Sequence, residues 1–81
     1  MMIRMYFAPW CGDCRAAQRF LDARGLAYEP INIEADPAAA ALVIEKNQGK
    51  RKVPTFEVDG RWFALSPFNE KRLITELGLK L

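Results

Sequence analysis

Two cysteines, Cys11 and Cys14, are the only ones in the 81-residue chain, and they stand three positions apart in Ala8-Pro9-Trp10-Cys11-Gly12-Asp13-Cys14. The pair falls between an apolar run and a helical pattern. That spacing puts the first sulfur at the positive end of a helix and the second one turn behind it. Disulfide exchange needs a thiolate, and an ordinary thiol is only about 3% ionised at pH 7. Amides pointing at the sulfur from the first helical turn favour its anion, much as they would hold a capping oxygen. Cys11 is therefore expected to be an exposed nucleophile, and Cys14 a deeper thiol that resolves the mixed disulfide. Asp13, between them, helps the helix start but opposes a second negative charge nearby.

The same pair could instead be a structural disulfide or half of a zinc site. The chain holds no histidine and no further cysteine, so only a dimer could complete a four-ligand metal site. Trp10 has two readings, a partly buried core aromatic or a lid beside the sulfur on which partners pack.

The elements that must carry these residues are legible along the chain. Residues 2–7 are an apolar run ended by Pro9, consistent with a mostly buried first strand. A helix begins at the cysteine pair, with Ala17, Phe20 and Leu21 at helical spacing and Gly25 as its stop. Tyr28 to Ile33 reads as a second strand, with Ile31 and Ile33 on one side. Asp36-Pro37 starts a second helix over Ala38–Asn47, because Asp caps free amides and Pro needs no donor at the first helical position. Gly49 breaks it before Lys50-Arg51-Lys52. Val53 to Val58 and Arg61 to Ala64, joined by Asp59-Gly60, read as a hairpin with a type I′ turn. Ser66-Pro67 repeats the cap-plus-proline start, and Leu73, Ile74 and Leu77 give a third helix its inward face. The order β-α-β-α-β-β-α makes the first two strands parallel and the hairpin antiparallel, an α/β fold with a four-stranded mixed sheet and three helices.

Length and composition set limits. A chain of 81 residues is expected to be a single domain over 1–81 that hides about 60–65% of its unfolded surface. Hydrophobic residues at 51% and charged ones at 27% are ordinary for a globular domain. A net charge of +2 is too weak a bias to argue for nucleic acid. The longest apolar stretch, Ala38 to Ile44, is seven residues, far short of the roughly 20 that cross a bilayer. Met1 to Met5 lacks the pattern of a secretory leader, so the expected address is the cytoplasm, where a cysteine pair beside a βαβ pattern reads as redox-active.

The cysteine pair after strand one, the Val53-Pro54 opening strand three and the element order together resemble the glutaredoxin branch of the thioredoxin-like superfamily. The likeness covers essentially the whole chain. Mycoredoxin-type glutaredoxins are most similar, in the Trp10–Cys14, Val53–Thr55 and Ser66-Pro67 segments. The resemblance implies a thioredoxin-like fold and a thiol-disulfide oxidoreductase that reduces protein disulfides or S-thiolated proteins. It implies no bound cofactor, with glutathione, mycothiol or bacillithiol as co-substrate, and a monomer. It also implies a cis Val53-Pro54 bond that turns the Val53 backbone toward the nucleophile, where its amide and carbonyl can pair with a bound peptide or small thiol. Lys50-Arg51-Lys52, with Arg51 its candidate, could grip a ligand carboxylate. Ser66 and nearby amides could hold another anionic group. Two departures stand out: Ala8 replaces a common lysine, so a cation must come from Arg15 or the Lys50–Lys52 loop, and the Ala64-Leu65-Ser66-Pro67 corner lacks a common Gly-Gly pair. Two other readings follow. One is a redoxin reduced by thioredoxin reductase and serving ribonucleotide reductase, whose usual Trp-Ser-Gly-Phe corner is replaced by Leu65-Ser66-Pro67-Phe68. The other is an iron-sulfur carrier in which two chains each offer Cys11.

Overall fold

The computed structural model describes residues 1–80; Leu81, the last position of the expected domain, lies outside the described residues. Seven elements follow one another as β1 (Ile3–Phe7), α1 (Gly12–Ala23), β2 (Glu29–Asn32), α2 (Pro37–Lys46), β3 (Thr55–Val58), β4 (Arg61–Ala64) and α3 (Glu70–Leu77). The strands form one sheet in the order β2-β1-β3-β4. β1 runs parallel to β2 and antiparallel to β3, and β3 pairs antiparallel with β4. This is the four-stranded mixed sheet expected from the element order, in the thioredoxin-like arrangement that the resemblance implied.

Strand alternation divides the interior into two layers. On one face Ile3, Met5, Phe56, Val58 and Phe63 pack with Ala17, Phe20 and Leu21 of α1 and Leu73, Ile74 and Leu77 of α3. On the other, Tyr6 and Ala8 pack with Ile33, Val53 and both cysteines, under Ala39 and Val43 of α2. The sheet is thus covered on both sides, with α1 and α3 on one and α2 on the other.

Local chemistry fixes the joints. Asp36 Oδ1 accepts from the Ala39 amide at 3.1 Å, the expected cap of α2. Asp59 and Gly60 take φ values of 50° and 90°, so the chain reverses between Val58 and Arg61 as a type I′ turn requires. The start of α3 differs from the expectation. Ser66-Pro67 is a cis peptide that lies before the helix, and Asn69 is the cap, its Oδ1 accepting from the Arg72 amide at 3.0 Å. The reason is geometric: the chain leaving β4 bends through residues 66–67 before it can turn into a helix, so the cap falls to the next residue with a short acceptor side chain. Among the described residues, no helix is long and apolar enough to cross a membrane.

Candidate active site

β1 delivers the chain through Ala8-Pro9-Trp10 to the first turn of α1. Cys11 is the N-cap, in extended conformation with φ −85° and ψ 113°. Its Sγ accepts a hydrogen bond from the Cys14 amide at 3.0 Å, the contact that favours a thiolate. On its other side the Cys11 thiol donates to the Val53 carbonyl at 3.7 Å, a contact that favours the protonated sulfur and is surrendered on ionisation. The two neighbours therefore pull in opposite directions.

The expected open exposure of Cys11 is not met. The residue is only 6% exposed and Cys14 1%. Cys11 instead lies on the wall of a cleft of about 330 Å³. The cause is the close approach of the Val53 turn, which covers the sulfur that a helix N-terminus alone would leave open. Both cysteines are free thiols. Burial, and then hydrogen bonding to Cys11, push the Cys14 thiol up to about 12.

The cleft gathers most of the residues singled out in the sequence. Trp10, Cys11, Asp13, Arg51, Val53 and Ser66 all line it, together with Gly12 and Lys52. Cys14 and Pro54 lie behind the wall, each fully buried. Asp13 is in the first turn of α1. The Val53-Pro54 bond is cis, as the resemblance implied. Pro54 O accepts from the Leu65 amide at 3.0 Å, and among the described residues no hydrogen bond engages the Val53 N–H. A second cleft, also about 330 Å³, shares Lys52 and Ser66 and extends to Asn69 and Arg72.

Trp10 is 63% exposed, so its core reading fails. Its Nε1 donates to Glu34 Oε1 at 3.4 Å. The other oxygen of Glu34 is paired with Arg51 Nη2. Arg51 is consequently engaged within the protein rather than held open for a ligand. Hydrogen bonds from Arg51 first and Trp10 second hold the Glu34 carboxyl below its ordinary range. The other cation considered, Arg15, donates through Nη2 to Pro9 O at 3.1 Å. Lys52 has no ion-pair partner among the described residues.

Three residues have supporting roles that the sequence reading does not assign. Thr55, 1% exposed, donates to Lys52 O at 2.7 Å and accepts from Asn47 Nδ2 at 3.1 Å. Asn47 Nδ2 also reaches Val43 O at 2.8 Å, so the segment carrying Val53 is tied to the end of α2. The signal for Thr55 was a hydroxyl placed among strand residues that face the core, where a polar atom must find a partner. Glu34, the third, carried no local signal. Among the described residues, no group of three or more His, Cys, Asp or Glu side chains could hold a metal ion.

Comparisons with known proteins agree with this geometry. A glutaredoxin family model matches residues 3–63. A Mycobacterium tuberculosis protein named as a glutaredoxin is 40% identical over 53 residues, 65% of this chain. The match spans 63% of that relative's length. Among solved structures, the thioredoxin-like protein BC3987 superposes with a TM-score of 0.76 at 27% identity, over 90% of this chain and 96% of that one. The glutaredoxin-like NrdH-redoxin of Escherichia coli, described as having a thioredoxin-like activity profile, gives 0.77 at 28% identity over 95% of both chains. The chain belongs to the glutaredoxin family.

Proposed function

We propose that the chain is a dithiol oxidoreductase that reduces protein disulfides, or mixed disulfides between proteins and a small thiol, in the cytoplasm as a monomer. One observation carries the reading: Cys11 Sγ caps α1, taking the Cys14 amide at 3.0 Å, on the wall of a cleft that Val53, the residue before the cis bond to Pro54, also lines. In the first step the Cys11 thiolate attacks one sulfur of the substrate disulfide. A new S–S bond forms to Cys11, and the other sulfur leaves as a thiolate that takes up a proton. Cys14 then loses its proton and attacks Cys11 Sγ, releasing the second substrate thiol and closing a Cys11–Cys14 disulfide. Two electrons have passed from the protein dithiol to the substrate.

The residues supply more than the sulfurs. When the Cys11 proton leaves, the Cys14 amide remains as donor to the anion, and the Val53 carbonyl loses its donor and becomes available to a substrate N–H. With the Val53 N–H it forms a short edge at which an extended peptide can pair. Trp10 offers an exposed apolar face beside the sulfur on which a partner can pack. Cys14, neutral because it is buried, does not compete for the first attack. Its reach to the mixed disulfide requires only that its proton leave once Cys11 is no longer an anion.

A low-molecular-weight thiol, glutathione, mycothiol or bacillithiol, restores the dithiol in this reading, and no resident cofactor is required. A second donor is favoured by the similarity to E. coli NrdH-redoxin along 95% of both chains, namely thioredoxin reductase. Supplying the oxidised protein with each donor and counting free thiols decides between them. The attack itself is tested by trapping. Cys14→Ser should accumulate a mixed disulfide at position 11, detected by intact mass, whereas Cys11→Ser should form none. A Cys11→Ser variant that keeps full disulfide reductase activity would refute the proposal.

A further inference from the structure

Arg51 and Lys52 both line the cleft beside Cys11, yet they are not equivalent cations. Glu34 joins two walls of the cleft with one carboxylate. Its Oε2 pairs with Arg51 and its Oε1 takes the Trp10 indole N–H at 3.4 Å. The backbone beneath it is fixed, since the Glu34 amide donates to Asn32 Oδ1 at 2.9 Å and Asp36 caps the next helix two residues on. A carboxylate held in this way competes directly with any substrate carboxylate arriving at the Arg51 guanidinium.

Resting on the oxidoreductase reading, we propose that Glu34 is a specificity-determining residue that withholds Arg51 from the carboxylates of incoming disulfides. The cleft then offers Lys52 as its unengaged cation among the described residues. Substrates whose sulfur carries a carboxylate to the Arg51 side must displace Glu34 and release Trp10, whereas neutral disulfides meet no such penalty. Glu34 touches neither sulfur and acts through Arg51 and Trp10, so it is a positioning residue.

The test uses the Cys14→Ser background, in which attack by Cys11 halts at the mixed disulfide. Oxidised glutathione, with carboxylates on both halves, is compared with uncharged bis(2-hydroxyethyl) disulfide, and the ratio of the two rates is read by intact mass. Glu34→Gln is expected to raise the glutathione-to-hydroxyethyl ratio about twofold to fivefold, the range of an exposed ion pair. Adding Arg51→Gln should return the ratio to its starting value, whereas Arg51→Gln alone should barely move it. The inference is overturned by a ratio that Glu34→Gln leaves unchanged or lowers. It is equally overturned by a gain that survives in the double variant, which would make it independent of Arg51, or by Arg51→Gln alone lowering the ratio as much as it does when added to Glu34→Gln, which would make it a general charge effect. A parent that forms no mixed disulfide with either reagent removes the oxidoreductase reading as well, an outcome distinct from a flat ratio.

Discussion

The two faces of the sheet are built to different ends. Among the described residues, the α1/α3 face buries twelve, three of them phenylalanines, and Phe56 stacks on Phe63 with ring centroids 5.2 Å apart. The α2 face buries eight, of which two are cysteines and two alanines, with Tyr6 the one aromatic ring among them. Apolar area scales with stability, so most of the folding free energy comes from the first face. The thinner face leaves room for two sulfurs and lets backbone groups, the Cys14 amide and the Val53 carbonyl, approach one of them. The proposed chemistry would thus occupy the part of the core that contributes less to holding the molecule together.

That division can be broken in either direction. The largest contrast is expected from Cys11→Ser, which should drop disulfide reduction to the uncatalysed level while changing the unfolding free energy in urea by less than about 1 kcal/mol. Phe56→Ala on the opposite face should do the reverse. It should cost about 3–5 kcal/mol in the same denaturation, with Cys11 alkylation in the remaining folded fraction little altered. An intermediate case lies on the joint between the faces. Thr55→Val removes the donor to the Lys52 carbonyl and one of the two acceptors of Asn47 Nδ2, so about 1–3 kcal/mol should be lost, and Thr55→Ser should restore most of it together with the rate of Cys11 alkylation. The last effect, absent at neutral pH, is a pH dependence. Cys14 is raised in the fold from an ordinary 9.0 to about 12, so the unfolded chain ionises first. Its contribution to stability is complete below pH 9 and is lost as pH rises toward about 12. The urea midpoint of the reduced protein should therefore fall more steeply above pH 9 than that of Cys14→Ser; parallel curves would show that the buried thiol contributes nothing.

What the sequence revealed follows the range of the interactions involved. Local signals, such as Asp36-Pro37 before α2, Gly25 after α1 and Asp59-Gly60 in the hairpin, placed the elements to within a residue or two, because each rests on contacts within one turn. The α3 start failed for a local reason of another kind. Ser66-Pro67 carries the same two residue types as a helix entry, but the true cap, Asn69, stands three positions later with Glu70 in the first turn behind it. Cys11 and Cys14 stand out as a candidate redox pair because two cysteines at that spacing have few other uses. Features that arise only from folding were not. The partial covering of Cys11 by Val53 joins positions 42 apart, and the Arg51–Glu34 pair joins positions 17 apart. A run of three basic residues shows that charge is present and nothing about which of it is spoken for.

One residue serves both halves of the proposed cycle by separate parts of itself. The main chain of Cys14 steadies the attacker, and its side chain ends the encounter. Exchange of that side chain can switch off resolution and leave the amide where it is, but no ordinary replacement can delete the amide without lodging a proline in the opening turn. Attack is therefore the harder of the two steps for mutation at this position to erase, and a single-thiol descendant of this protein would keep its grip on substrates while losing the means to let go.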